Sequence, residues 1–157
     1  MIDYLVSVMP QLLSGAGITI KLFGLTLIGS IPLGIILAFI LASRLRILKA
    51  IVQVYVWLMR GTPLLLQLIF VFYGLPILNI VFDRFEAALI AFIINYAAYY
   101  AEIFRGGIQS IPAGQYEAAK VLRLAPLQTI RKIIIPQVVK ITLPSVGNEV
   151  ILSLIHI

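Results

Sequence analysis

The side chains that could do chemistry are few and mostly cluster in one stretch: Asn95, Tyr96, Tyr99, Tyr100, Glu102 and Arg105, with Gln67 some way before them. On a helix, Asn95 with Tyr99, and Tyr96 with Tyr100, share a face, and Glu102 and Arg105 stand one turn apart. Such a set could line a polar pathway for a zwitterion, with Glu102 meeting its amino group. A plainer reading stands beside it. Glu102 and Arg105 pair with each other at a helix end, and the tyrosines sit at helix contacts or at headgroup level. Arg60, Thr62 and Gln67 pose the same choice. Arg60 can anchor to headgroups or pair with an acid, and Gln67 suits gluing helices better than holding a solute. No catalytic set emerges. There is no Cys, no His/carboxylate metal cluster forms around the one His (His156), and no Gly-rich phosphate loop ends in Gly-Lys-Ser/Thr. The chain is therefore read as no enzyme, with no cofactor and no metal site.

The elements that must position these groups are apolar and long. Of the 157 residues 62% are apolar and 11% charged, against about half and about a quarter in soluble domains. Apolar runs of about 20 residues match a hydrocarbon core of about 30 Å. The fold class is thus all-α integral membrane. Span one is read over 18–41, with Lys21 snorkelling at one end, Gly29 and Gly34 as flat contact places, and Pro32 as a tolerated kink. After Arg44, Arg46 and Lys49, an apolar stretch over 50–82 is broken only by Arg60-Gly61-Thr62-Pro63. It reads as a helix lying at the interface to about 59, then span two from Pro63 to about 78, Pro63 suiting a first helical turn. A loop is read over 75–85, span three over 86–104, and the start of span four over 138–151. Gly106-Gly107 reads as a hinge after span three.

Met1-Ile2-Asp3-Tyr4 lacks a basic n-region and no small-residue cleavage site stands out, so no cleaved leader is expected. With the N-terminus outside, ten of the twelve Lys and Arg residues fall on the inner side and only Lys21 and Arg84 on the outer. The basic charge therefore follows membrane topology and implies lipid contact but no nucleic acid. It also places the polar, basic segment 105–140 in the cytoplasm. There Pro112 should open a short helix through Glu117-Ala118-Ala119-Lys120, Pro126 should restart the chain after a bend, and a second helix should end at Pro136. The two small Ala side chains would let another protein approach the backbone.

This segment resembles the cytoplasmic "EAA" loop (about 110–136) of permease subunits of ATP-binding cassette (ABC) importers. Glu117, Ala118, Ala119, Ile133 and Pro136 fall in the family register, with Ile135 in a Leu place. Within that family the chain resembles the polar amino acid branch (His, Glu, Gln, Arg, opine). The marks are Arg60-Gly61-Thr62-Pro63-Leu64 with Gln67, Ala101-Glu102-Ile103 with Arg105-Gly106-Gly107-Ile108, Gly114-Gln115 before Glu117, and the late Gly147-Asn148-Glu149. The resemblance implies a type I importer transmembrane domain with a five-helix core, of which about three and a half spans are present. It implies an inner-membrane, multi-pass subunit that pairs with a second permease, identical or not. An external binding protein delivers a small polar amino acid, and ATPase subunits seat the loop through Gly114, Gln115, Glu117, Ala118, Ala119 and Arg123. Asn95, Tyr96, Tyr99, Glu102 and Gln67 are then pathway candidates, and Arg60, Gly61, Thr62, Pro63, Arg105, Gly106 and Pro136 structural ones.

Two departures stand out. Arg123 occupies the family's Gly position, where a left-handed bend would suit glycine. The end, Leu152-Ser153-Leu154-Ile155-His156-Ile157, does not resemble the family and matches the in-frame translation of a common sequencing-library adapter. Residues 1–151 are read as an incomplete permease domain and 152–157 as a non-native tail. Two other classes are weighed. A secondary carrier would show mid-span charge relays and repeat symmetry, and a membrane scaffold would need no polar lining in span three.

Overall fold

The computed structural model describes residues 2–157, with side chains from Val8 onward. The leader reading of Met1–Tyr4 lies outside those described side chains. Helix α1 runs Ile2–Ala42, and its portion Val8–Ala42 is long and apolar enough to cross a membrane. It starts well before residue 18, because Ser14, Gly15 and Gly17 are only weak breakers and the exposed Leu12 and Leu13 extend the apolar surface. Helix α2 is Arg46–Gly61. After an extended Thr62 and Pro63, α3 covers Leu64–Ile69 and continues as a π turn, Phe70–Gly74, and a 3-10 turn, Leu75–Leu78. The chain turns 107° between α2 and α3.

Helix α4 is Arg84–Gln109. Its start is fixed by a reciprocal cap: the Glu86 N–H donates to the Asp83 carboxylate at 2.8 Å, and the Asp83 N–H to Glu86 at 3.3 Å. Asn79 ends the preceding turn in a left-handed conformation (φ 62°), which Asn tolerates. Helix α5 is Ala113–Val121, α6 is Pro126–Thr129, a π turn spans Ile130–Ile134, and α7 is Ile135–His156. By length and composition α1, α4 and the stretch Pro126–His156 can each cross a membrane, and the bent α2–α3 pair adds a fourth candidate.

The expectation that a helix ends at Pro136 is corrected: the rod runs through it. Proline lacks an N–H and its ring crowds the carbonyl four residues back. The π turn before it widens the rod, with the Ile135 N–H bonding to the Ile130 carbonyl. The same device precedes Pro76, where the Leu75 N–H bonds to the Phe70 carbonyl. That device also shows why the loop read over 75–85 is partly helical, with the irregular chain confined to 79–83.

The centre of the molecule is a seam between parallel helices α1 and α4. Gly29 faces Ile93, and further along Gly34 lies under Tyr100 and the Ala97 carbonyl. Thr26, Ser30, Ala97, Ala98 and Ala101 are buried along it. Small residues let backbones approach where no water drives association, so packing itself must hold the pair. Helix α7 runs antiparallel to α4. Val138 and Thr142 press on Gly107, where an added Cβ would strike the Thr142 methyl. The hinge reading of Gly106-Gly107 is corrected accordingly. α4 continues unbroken through both, and Gly107 serves close packing while Gly106 is exposed.

Candidate functional site

The break between α2 and α3 builds the site. A helix end leaves its last carbonyls without donors, and inside a bilayer these must be satisfied by protein. Here side chains do it. The Thr62 hydroxyl donates to the Leu58 carbonyl at 2.8 Å. The Gln67 amide donates to the Met59 carbonyl at 2.9 Å and to the Thr62 hydroxyl at 2.8 Å. The buried Asn95 of α4 donates to the same Met59 carbonyl at 3.2 Å and to the Gln67 side-chain oxygen at 3.0 Å. Tyr55 adds a second tie, its hydroxyl donating to the Ile94 carbonyl at 2.5 Å. Gln67 therefore knits the break to α4, and so does the Asn95 amide group.

Arg60, at the end of α2, lies over the Tyr99 ring at 5.3 Å and 4.0 Å from Glu102. Glu102 is claimed more closely by Arg105, which reaches the same carboxylate oxygen at 2.6 Å and 3.0 Å. Arg105 also donates to Gln109 at 3.1 Å. The Glu102–Arg105 pair thus ties successive turns of α4 together, with Arg60 at its margin.

Next to this network opens a cavity of about 420 Å³, lined by Arg60, Gly61, Thr62, Pro63, Leu64, Asn95, Tyr96, Tyr99, Glu149, Leu152 and His156. The structure brings Asn95, Tyr96, Tyr99, Arg60 and Thr62 together around one space. Glu102 and Gln67 do not line it. Tyr96 is held by Phe92, stacked at 6.1 Å, and its hydroxyl lies 2.8 Å from the His156 ring nitrogen Nδ1.

Glu149 is the residue that reading the site from sequence missed. It is buried on α7 at 9% exposure and, among the described residues, makes no hydrogen bond or ion pair. The signal was present: it is the one acid in the stretch 126–156, and an ionisable group inside a span is costly enough to point to function. A guanidinium, a carboxylate, two phenol rings and an amide around one space give both charge signs and aromatic faces. That arrangement can offer an opposite charge to each end of a small zwitterion.

The second candidate region is α5. Gly114, Glu117, Ala118 and Arg123 are exposed there, and Glu117 makes no ion pair among the described residues. Val121, Leu122 and Leu127 add an exposed apolar surface, at 83%, 69% and 75% exposure. Two residues behave otherwise than expected. Ala119 is 2% exposed and packs inward, so of the Ala pair only Ala118 faces out. Helical geometry requires this, since adjacent positions point about 100° apart. Gln115 turns toward α7, where the Gln137 amide reaches it at 3.3 Å. Arg123 holds a left-handed backbone, φ 52°.

Comparison with known proteins gives one consistent picture. The family model "Binding-protein-dependent transport system inner membrane component" matches residues 30–157. A probable amino-acid ABC transporter permease protein, YckA of Bacillus subtilis (strain 168), is 38% identical over 146 residues, covering 93% of this chain and 64% of the relative. The L-cystine transport system permease protein TcyB of the same organism is 39% identical over 142 residues, covering 90% and 61%. The octopine transport system permease protein OccM of Rhizobium radiobacter is 41% identical, again covering 90% and 61%. The chain thus spans 61–64% of the length of these relatives. A crystal structure of an amino acid ABC transporter with histidines superposes with a TM-score of 0.89 at 37% identity, covering 98% of this chain and 72% of that one.

Proposed function

We propose, because the chain belongs to the binding-protein-dependent transport system inner membrane component family, that it forms one half of the translocation pathway of an ATP-driven amino acid importer. The observation that supports this most is the mixed-charge, aromatic set Arg60, Asn95, Tyr96, Tyr99 and Glu149, all within residues 1–151, which lines the cavity between α2, α4 and α7 in an otherwise apolar bundle. In this reading Glu149 meets the amino group or a basic side chain of the solute, Arg60 meets its carboxylate, and Tyr96 and Tyr99 supply the walls. Asn95, Gln67 and Glu102 are positioning groups, since the hydrogen bonds described above occupy them. Helix α5 docks on an ATPase subunit through Glu117, Ala118 and the apolar Val121–Leu122 corner, with the N-terminus outside and the 110–136 loop in the cytoplasm. A binding protein delivers the solute and a second permease subunit completes the path. We further propose that residues 1–151 are the native part of the permease domain and that 152–157, over which the family model also extends, are foreign to it, so that the wall given by Leu152 and His156 is not the native one. The DNA sequence beyond Ile151 tests this last point directly.

The function is tested in proteoliposomes carrying the permease with its ATPase and binding protein. Glu149→Gln should lower amino acid uptake about tenfold or more, because a hydrogen bond to a charged group is at stake, and should leave ATPase co-purification intact. Glu117→Lys should do the reverse, losing the ATPase while membrane expression is unchanged. Normal uptake by both variants would refute the assignment.

A further inference from the structure

Tyr100 of α4 is fully buried, and its hydroxyl has no hydrogen-bond partner among the described residues. Thr26 and Ser30 share that lack, but a helical Thr or Ser hydroxyl can swing onto a carbonyl of the turn before it. The Tyr100 oxygen cannot swing. It stands at the end of a rigid ring packed in one cluster with Leu22, Phe92 and Tyr96. The helix register sets this hydroxyl toward the other buried polar group without a partner, Glu149. Thr142 of α7 meets Gly107 of α4. The two helices are antiparallel, so seven residues on from that contact along each bring Glu149 level with Tyr100. Seven residues are close to two helical turns, so both residues stay on the facing sides. Val146, one turn before Glu149, packs against the cluster that holds Tyr100, and the Glu149 charge acts on the Tyr100 hydroxyl. Pro144 lies between the Gly107 contact and Glu149. It offers no N–H to the Lys140 carbonyl four residues back, so the part of α7 that carries Glu149 can tilt while Thr142 stays seated.

We propose, on the reading of Glu149 as a solute ligand, that Tyr100 is its positioning residue: when the cavity takes up a solute, α7 closes on α4 and the Tyr100 hydroxyl donates to the Glu149 carboxylate. Tyr100 does not line the cavity, so it acts through Glu149 and not on the solute. A carboxylate has two oxygens with room for several donors. One oxygen can hold the cationic group of the solute while the other takes the phenol, which fixes the plane of the carboxylate. A phenylalanine at position 100 would fill the same space without burying an unpaired hydroxyl, and that burial is costly in the free protein. The bond made in the loaded state gives the hydroxyl its use, and it couples occupation of the cavity to the approach of α7 and α4.

The test is thermal unfolding of the permease in complex with its ATPase, with and without an equimolar mixture of the protein amino acids and L-cystine. Without the mixture, Tyr100→Phe should unfold no earlier than the unmutated complex. With it, Tyr100→Phe should need about tenfold more of the mixture for half of the upward shift, because a hydrogen bond to a charged group is lost. Added to Glu149→Gln, it should change nothing further, since the hydroxyl acts only through that carboxylate. Earlier unfolding of solute-free Tyr100→Phe, or its failure to fold, would show that the hydroxyl already has a partner in the free protein and overturn the proposal. An unchanged half-shift concentration, or an effect that adds to Glu149→Gln, would overturn it as well. If the mixture does not shift the unmutated complex at all, the solute reading of the cavity falls and takes this inference with it. A shift in the unmutated complex that Tyr100→Phe shares in full sinks the inference alone.

Discussion

The α1–α4 seam and the α5 loop are built on opposite principles. Along the seam, glycine and alanine bring two long helices into backbone contact, and nearly every facing residue is buried. Helix α5 is nine residues long and buries Ala119 alone, while its corner exposes Val121 and Leu122. A helix this short is not stable by itself in water. Something outside its own hydrogen bonds must hold it, and its exposed apolar surface is what a partner would cover. In the importer reading proposed above, the seam is the frame against which α5 acts as a lever, and the polar break between α2 and α3 is the part of the frame that opens onto the cavity.

Breaking the seam should have the largest effect. A Cβ at Gly34 already meets the Tyr100 Cβ at 2.5 Å and the Ala97 carbonyl oxygen at 3.1 Å. The second of these is backbone and cannot swing aside. Gly34→Leu should thus force α1 and α4 apart and lose most of the folded protein, read as recovery of a monodisperse peak in detergent. By contrast Gly114→Ala, in the open at α5, should leave that yield unchanged. If both variants behave alike, the division into rigid seam and free lever is wrong.

A smaller effect is expected at the break. Gln67→Leu removes the donor to Met59 and Thr62 and leaves Asn95 with its Met59 bond alone, stranding buried polar groups. Such groups cost about 1–3 kcal/mol each, so thermal stability should fall by several degrees. Asn95→Leu with Gln67→Leu should cost less than the two single changes added together, because the pair shares one network. Strict additivity would show that the hydrogen bonds act independently.

These contrasts also explain what the sequence could and could not disclose. The spans, the break at Gly61–Pro63 and the Gly29 and Gly34 contact places were legible because hydropathy, proline and glycine act locally. The Glu102–Arg105 pair was legible because it lies within one helix. Glu149 facing Tyr96 and Tyr99 was not, since it joins residues some fifty positions apart in sequence and depends on how α7 packs against α4. The passage of α7 through Pro136 was hidden for another reason. Proline is a helix breaker by rule, and here the rod passes it by way of the π turn at Ile130–Ile134.

The smallest expected effect returns to the lever. Arg123 follows the end of α5 with φ 52°, and the Leu124 N–H beyond it closes back on the Ala119 carbonyl at 3.0 Å. That is a helix stop in which a glycine would fit without strain. A residue with a Cβ pays roughly 1–2 kcal/mol in this region. Arg123→Gly should therefore stabilise the bend by about 1 kcal/mol, somewhat below the strain removed because glycine is freer in the unfolded chain. Thermal unfolding of the variant should shift upward by a few degrees at most. Hydrogen exchange should slow in α5 while the seam helices stay unchanged. A stiffer α5 without a stiffer seam would confine the strain to the lever, and slower exchange in α1 and α4 as well would show that the two regions are mechanically one.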